Sequence, residues 1–153
     1  MAMQDFSRSL PMMLYRTLDA VMPRFRQIFS EFGLTEQQWR VLRVLWEQGP
    51  TTARELARLT LIPAPSLVGI VDRLTISGLV FRVRSNQDRR NVFIETTDAG
   101  KELEEKVRPR VDKAYDELRL SFDENHWDEL IAGLDRLSRD KGNSRENKNS
   151  KKQ

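Results

Sequence analysis

The sequence contains no cysteine, which excludes disulfides, thiolate catalysis, cysteine-based redox sensing and cysteine-rich zinc sites. His126 is the single histidine, so a multi-histidine metal site is excluded as well. No apolar run approaches the roughly 20 residues that a membrane-spanning helix needs, and no signal-peptide pattern opens the chain. We therefore expect a cytoplasmic protein with no metal, no cofactor and no membrane partner.

Catalytic patterns are also missing from the sequence. It has no nucleophile elbow, no glycine-rich phosphate loop and no metal-ligand spacing. The carboxylates that follow Gly100 recur along one predicted helix, where a regular acidic stripe is usually a solvated face. We predict no catalytic residue and no enzymatic activity.

The net charge of +3 is unevenly distributed along the 153 residues. Residues 51–92 carry seven arginines against three acidic residues, whereas residues 93–137 carry thirteen acidic residues against seven basic ones. A basic segment within an otherwise slightly acidic ordered region is typical of a nucleic-acid reader, because phosphate contacts supply much of the affinity. On charge alone, a solvated basic surface without function explains the pattern equally well.

Apolar residues at helical spacing predict six helices and one β-hairpin. Thr35 is placed to cap the second helix, and Thr51 or Thr52 to cap the third, where Glu55 is expected to close a capping box. Strands of alternating polarity at Leu79–Arg84 and Val92–Thr96 form the hairpin. The periodic apolar residues run from Leu14 to Phe32, Trp39 to Trp46, Ala53 to Leu59, Leu67 to Leu74, Leu103 to Leu118 and Trp127 to Leu137.

This order of elements predicts a mainly α protein with a small β-hairpin wing, in which a winged helix-turn-helix spans roughly Thr51 to Thr97. The apolar stripes of the outer helices exceed what this small centre can cover, which favours burial against a second copy of the chain. We therefore expect a homodimer. The predicted regions are a DNA-binding lobe at 35–97, helical dimerisation regions at 1–34 and 98–140, and a disordered basic tail at 141–153.

The outward side of the fourth helix carries small and hydrogen-bonding residues, which let a helix approach base edges. The hairpin adds arginines, which are favoured in a narrow minor groove, and Asp88 is expected to pair with Arg84 or Arg90. Either feature alone fits a solvated surface; together they favour double-stranded DNA as a partner. The residues predicted to contact DNA are Thr52, Arg54, Pro65, Ser66, Gly69, Arg73, Arg82, Arg84, Asn86, Asp88, Arg89 and Arg90.

The segment from Asp88 to Gly100 resembles the wing signature of MarR-family regulators, D-x-R-x-x-x-L-x-L-T-x-x-G. Ile94 and Thr96 stand where that signature has leucines, and neither departure touches the aspartate or arginine positions. Residues 66–82 are similar to the recognition helix and first wing strand of the same family. Within the family, the sequence is most similar overall to regulators of homoprotocatechuate (4-hydroxyphenylacetate) catabolism.

The resemblance implies a homodimer whose terminal helices interlock and whose wings flank a palindromic operator. It implies that Asp88 stabilises the wing and that Arg90 enters the minor groove. It further implies a repressor that a small aromatic acid releases from DNA, with the effector between the dimerisation helices and the DNA-binding lobe. Residues of suitable chemistry for that effector are Met12, Tyr15, Arg16, Trp39, Arg40 and Arg43.

Two other functions remain open from the sequence. A MarR-type regulator of stress or efflux genes with a different phenolic ligand carries the same motifs. A helical adaptor that contacts only protein explains the long apolar stripes but leaves the four arginines of the hairpin unexplained. His126 is expected to be a surface or dimer-contact residue.

Overall fold

The computed structural model describes residues 5–88 and 90–146, so the predicted contact Arg89 and residues 147–153 of the predicted tail lie outside the described residues. The fold is mainly α with a small antiparallel sheet, which confirms the predicted class. A short 3-10 helix at Phe6–Arg8 comes first. The helices are α1 (Leu10–Glu31), α2 (Glu36–Gln48), α3 (Ala53–Thr60), α4 (Ala64–Ile76), α5 (Asp98–Phe122) and α6 (Glu124–Glu146), and the strands are β1 (Thr51–Thr52), β2 (Val80–Arg84) and β3 (Val92–Thr96).

Side-chain caps set the starts of α2 and α3. Thr35 caps α2 in a reciprocal capping box with Gln38: each residue's side chain accepts from the other's backbone N–H, at 3.1 and 2.9 Å. Thr52 caps α3 by accepting from the backbone N–H of Glu55 at 3.3 Å. The predicted capping box at Glu55 is wrong, because its carboxylate instead pairs with Arg58, which lowers the pKa of Glu55.

The sheet has three strands in the order β1-β3-β2, so the predicted two-stranded hairpin is incomplete. Thr51 pairs with Ile94, and Ile94 pairs in turn with Arg82 on β2. Strand β1 is only two residues long, too short for an alternating pattern to reveal it. Its pairing attaches the wing to the start of α3, because Thr52 is both a strand residue and the α3 cap.

The described residues divide at Asp112 into two compact units. The core of the first unit is built from α1, α2, α3, α4 and both long strands, joined by Val107 of α5. It is mainly aliphatic, with Phe25 and Phe29 of α1 as its aromatic members. Each such side chain contributes roughly 1.5–3 kcal/mol through removal from water. The fully buried side chains of this core include Val41, Leu42, Leu56, Leu67, Ile70, Val71, Leu74, Val80 and Ile94.

The second unit contains the end of α5 and the helix α6. Trp127 packs there against the ring of Phe122 and under the guanidinium of Arg119, 5.6 Å from the ring centroid. His126 lies on the surface, with Nδ1 2.8 Å from an oxygen of Asp123. Helix α6 continues to Glu146, six residues into the segment predicted as tail, because a helix backbone needs no apolar residue to continue.

Within the described ranges, no single helix is long and apolar enough to cross a membrane. The bent pair of α3 and α4 passes the same criterion on length and composition alone. The apolar side chains Leu56, Leu67, Ile70 and Leu74 of that pair are buried in the core of the first unit.

Candidate nucleic-acid interface

Helices α3 and α4 form a sharp corner. Their axes meet at 109°, within the roughly 90–120° range of helix-turn-helix pairs. The connection consists of Leu61, Ile62 and Pro63. Leu61 ends α3 in the left-handed conformation with φ of 57°, Ile62 inserts into the core, and Pro63 stands at the N-cap of α4.

Helix α4 has one buried side and one outward side. Leu67, Ile70, Val71 and Leu74 fill the core, as their helical spacing predicts. Pro65, Ser66 and Arg73 are exposed on the other side, and Gly69 is half-buried among them. Two residues that the sequence analysis did not select, Val68 and Asp72, are also exposed here. Val68 escaped notice because an aliphatic residue in an apolar helix is ordinarily assigned to the core.

Gly69 lies in the interior of α4, where glycine weakens a helix by roughly 0.5–1 kcal/mol relative to alanine. An added Cβ would meet no atom within 4 Å. Packing inside the described structure therefore gives no reason for a glycine at this position.

The two arginines of β2 differ in their partners. Arg82 donates from Nη2 to Oδ1 of Asp72 at 2.6 Å, so it connects the wing with α4. Arg84 is exposed and forms no ion pair with any described residue, and the same is true of Arg73 on α4. Arg82 and Arg84 are two residues apart in one strand, so they lie on the same side of the sheet.

Asp88 organises the tip of the wing through backbone groups. Its Oδ1 accepts from the backbone N–H of Arg90 at 3.0 Å, and its backbone carbonyl accepts from Asn91 at 3.0 Å. Ser85 closes the other side, because its hydroxyl oxygen accepts from the backbone N–H groups of Gln87 and Asp88. The predicted ion pair of Asp88 with Arg84 or Arg90 is wrong among the described residues. A two-residue separation suits a backbone-capping turn better than a side-chain ion pair. Asn86 and the Arg90 side chain are exposed at this tip.

The base of the wing is attached to the start of α5. Thr97 donates from its hydroxyl to the carbonyl of Gly78 at 2.6 Å and accepts from the backbone N–H of Gly100 at 3.0 Å. The carbonyl of Gly100 accepts from Nε1 of Trp46 at 3.1 Å. A Cβ on Gly100 would lie 2.4 Å from the backbone oxygen of Leu79. These contacts give a physical reason for the threonine and glycine of the wing signature.

The residues proposed for an effector fall into two groups. Met12, Tyr15 and Arg16 lie on α1, while Trp39, Arg40 and Arg43 lie on α2. Among the described contacts, none joins the first group to the second. In the first group, Tyr15 is exposed, Met12 is half-buried, and Arg16 donates weakly to the backbone of Ser7 at 3.4 Å.

The α2 group is held by its neighbours. Trp39 stacks on Phe29 with ring centroids 4.6 Å apart and meets Trp46 edge-on. Arg43 pairs with Glu47 on the same helix. Arg40 donates to Glu36 at 2.8 Å and to the carbonyl of Thr60, the last residue of α3, at 3.1 Å. Of the three arginines named for an effector carboxylate, Arg40 and Arg43 thus already pair with carboxylates of α2.

An open cavity of about 580 Å³ lies beside Arg40. Glu36 lines this cavity and pairs with Arg40 and also with Arg26 at 2.9 Å. These guanidinium groups, Arg40 first, lower the pKa of Glu36 against the opposing effect of burial. The lining residues are Arg26, Leu34, Thr35, Glu36, Gln37 and Arg40, of which only Arg40 was selected from the sequence.

The helix-turn-helix corner and its three-stranded wing define a winged helix-turn-helix protein. Comparison with known proteins then gives the family. The chain belongs to the MarR family of transcriptional regulators, whose sequence profile matches residues 32–91. The homoprotocatechuate degradative operon repressor of Escherichia coli is 33% identical over 138 residues, which cover 90% of this chain and 93% of that protein. The resemblance read from the wing signature is confirmed.

Two solved structures agree with this assignment. NadR in complex with 4-hydroxyphenylacetate is 34% identical, has a TM-score of 0.77, and is matched over 90% of this chain and 97% of that one. The repressor CouR bound to a 23-mer DNA duplex is 27% identical, has a TM-score of 0.82, and is matched over 91% of this chain and 99% of that one. The chain is therefore a MarR-family transcriptional regulator with a DNA-binding winged helix.

Proposed function

We propose that this regulator is a homodimeric repressor that binds a palindromic operator and leaves it when a small aromatic carboxylate binds. The supporting observation is that one winged helix-turn-helix combines two features. Helix α4 carries small residues on its outward side, and the wing carries exposed arginines. Cations that bind phosphates position a protein on double-stranded DNA, and a helix that admits close approach brings side chains to the base edges.

In this proposal α4 is the recognition helix and enters the major groove. Ser66 and Arg73 are suited to base edges or phosphates, and exposed Val68 to a thymine methyl group. Arg84 and Arg90 extend from the wing toward the minor groove, where a narrow groove favours arginine. Thr52, Arg54 and Pro65 lie at the starts of α3 and α4, where backbone N–H groups and the helix dipole attract phosphate. Asn86 completes the proposed surface, and Arg82 lies beside it in an ion pair with Asp72. Arg89 is proposed from its sequence position alone.

The proposed dimer interface uses the terminal helices, at 1–34 and 98–140. Large apolar side chains on α1 and α6 are exposed, so packing within a single chain does not remove them from water. A second copy that packs on these residues removes them from water. They are Leu10, Met13, Leu14 and Leu18 on α1, and Leu130, Ile131, Leu134 and Leu137 on α6.

The proposed effector is an aromatic acid related to 4-hydroxyphenylacetate, the ligand of the NadR structure. Support comes from α2, where Arg40 and Arg43 lie on the helix that carries the stacked Trp39. A carboxylate that binds Arg40 competes with Glu36, and Arg40 also holds the last carbonyl of α3. Effector binding can therefore act on the helix-turn-helix through a contact that already exists.

The proposed function predicts a specific and reversible shift of operator DNA. Gel shifts with the chain's own upstream region, at about 50 and 200 mM salt, should show preference over a scrambled duplex. Millimolar 4-hydroxyphenylacetate should release the operator, whereas 2-(4-hydroxyphenyl)ethanol, which has a hydroxymethyl group in place of the carboxylate, should not. Affinity should also fall by orders of magnitude between the two salt concentrations. Equal binding to both duplexes would contradict the proposal, and specific binding without release would contradict only the effector.

Replacing Gly69 by alanine should change stability and DNA binding in opposite directions. The unfolding free energy should rise by roughly 0.5–1 kcal/mol because alanine favours the helix. Operator affinity should fall because the new methyl group occupies the open space through which α4 approaches the bases. Thermal unfolding and gel shifts measure the two effects. Gln48→Ala at the exposed end of α2, outside both the proposed DNA surface and the proposed dimer interface, should leave DNA binding unchanged.

A further inference from the structure

An ion pair joins the wing to the proposed recognition helix. Asp72 of α4 accepts from Arg82 of β2 at 2.6 Å, and the side chains keep 52% and 40% of their exposure. Asp72 stands on the outward side of α4, next to Arg73. A carboxylate is therefore exposed on the same surface that is proposed to approach a polyanion.

Neither fold stability nor charge attraction accounts for this carboxylate. An ion pair so open to solvent contributes little to the stability of a protein. A negative charge near phosphates opposes DNA binding, and it also neutralises one of the wing's cations. Arg73 and Arg84, by contrast, form no ion pair with any described residue. The wing thus carries one guanidinium that is occupied by an ion pair, on Arg82, beside the guanidinium of Arg84, which is open to phosphate.

We propose that Asp72 is a specificity-determining residue that suppresses binding to random DNA by holding Arg82. This inference rests on the proposed DNA-reading function. Binding to random sequences comes essentially from phosphate contacts. It therefore loses the whole contribution of a cation that cannot reach a phosphate. Binding to the operator also draws on base contacts and on a fixed geometry of wing and helix, which the ion pair maintains. Discrimination arises from a repulsive element as well as from attractive ones.

The first test compares Asp72→Asn with the unaltered protein on a random-sequence duplex over a series of salt concentrations. Freed Arg82 should reach phosphate, so affinity at about 0.1 M salt should rise three- to tenfold. The slope of log affinity against log salt should steepen by about one for each added phosphate contact. Operator affinity should rise less or fall, so the ratio of operator to random affinity should drop at least threefold.

Glu31→Gln is the matched control. Glu31 of α1 pairs with Arg110 of α5 at 2.8 Å, with side chains exposed by 39% and 52%, outside the winged helix-turn-helix. It changes the net charge by the same amount and breaks a similar pair between two elements. Glu31 is the last residue of α1, at the opposite end of that helix from Leu10 and Leu14 of the proposed dimer contact. The variant should therefore leave both the salt slope and the affinity ratio unchanged.

A second variant separates the action of Arg82 from that of the carboxylate alone. In an Arg82→Gln background, Asp72→Asn should no longer steepen the salt slope, because no guanidinium remains to be released. A slope that steepens equally in both backgrounds would overturn the part assigned to Arg82.

Other outcomes also contradict the inference. If Asp72→Asn weakens operator and random binding alike and lowers the unfolding temperature, the pair only supports the fold. If operator affinity falls while random binding and its slope stay unchanged, Asp72 reads a base directly, as an acceptor from cytosine. In both cases the unaltered protein still prefers its operator, so the proposed function stands. If the unaltered protein shows no preference, the proposed function fails, and this inference fails with it.

Discussion

Replacing Arg90 by alanine should lower operator affinity by at least about 30-fold while the fold and the dimer stay intact. The structure places this side chain at the exposed wing tip, where we propose that it enters the minor groove. A specific arginine contact contributes roughly 1–3 kcal/mol, and a dimer on a palindrome loses two of them. The backbone N–H of residue 90 still donates to Asp88, so the turn itself should persist. Gel shifts measure the affinity, and circular dichroism with size-exclusion chromatography checks the fold and dimer.

Two controls separate shape from charge in this experiment. Arg90→Lys keeps the charge but loses the planar guanidinium, so it should recover only part of the affinity. Arg136→Ala removes the same charge from α6, outside the winged helix-turn-helix, and should have little effect. Operator affinity that is unchanged in Arg90→Ala would refute the assignment of the wing to the minor groove.

Replacing Gly100 by alanine should destabilise the protein by about 2–3 kcal/mol, the upper part of the usual range for overpacking. The added Cβ would lie 2.4 Å from the backbone oxygen of Leu79 and 3.3 Å from Cβ of Thr96. Neither obstacle can rotate away, so the first turn of α5 must move. That movement disturbs the Thr97 cap and the bond from Trp46 to the Gly100 carbonyl.

Thermal unfolding measures this effect, and a fall in Tm of roughly 5–10 °C is expected for a chain of this size. Operator binding should weaken as well, because the same contacts attach the wing to α5. Gly133→Ala on α6 is the control for helix propensity and should be neutral or slightly stabilising. An unchanged Tm in Gly100→Ala would show that the base of the wing tolerates a displacement of α5.

Much of the fold was predictable because it depends on short-range patterns. The apolar spacing of α4 placed Leu67, Ile70 and Leu74 in the core, and the Thr35 cap marked the start of α2. The wing strands were recognisable from alternation over five residues each. By contrast, β1 has two residues and is a strand only because β3 lies beside it. No local periodicity can report a pairing between residues some forty positions apart.

The residues of the candidate site were predictable from the sequence, whereas their contacts were not. Small and basic residues on α4 and the wing were identified from residue type and spacing. Their partners were not, because an ion pair such as Asp72–Arg82 joins two elements whose separation depends on packing. Asp88 was assigned an arginine partner for a different reason: the prediction considered charge, whereas the two-residue separation favours the backbone N–H group of Arg90, from which Asp88 accepts.

The sequence by itself determined the class of protein, the order of its helices and wing, and the segment that carries its positive charge. These properties follow from residue type and from periods of two and 3.6 residues, which need no knowledge of distant neighbours. Only the tertiary structure decided which of the arginines are available and which are already paired. Availability depends on distances between elements, and those distances are set when the core of α2, α3, α4 and the sheet closes.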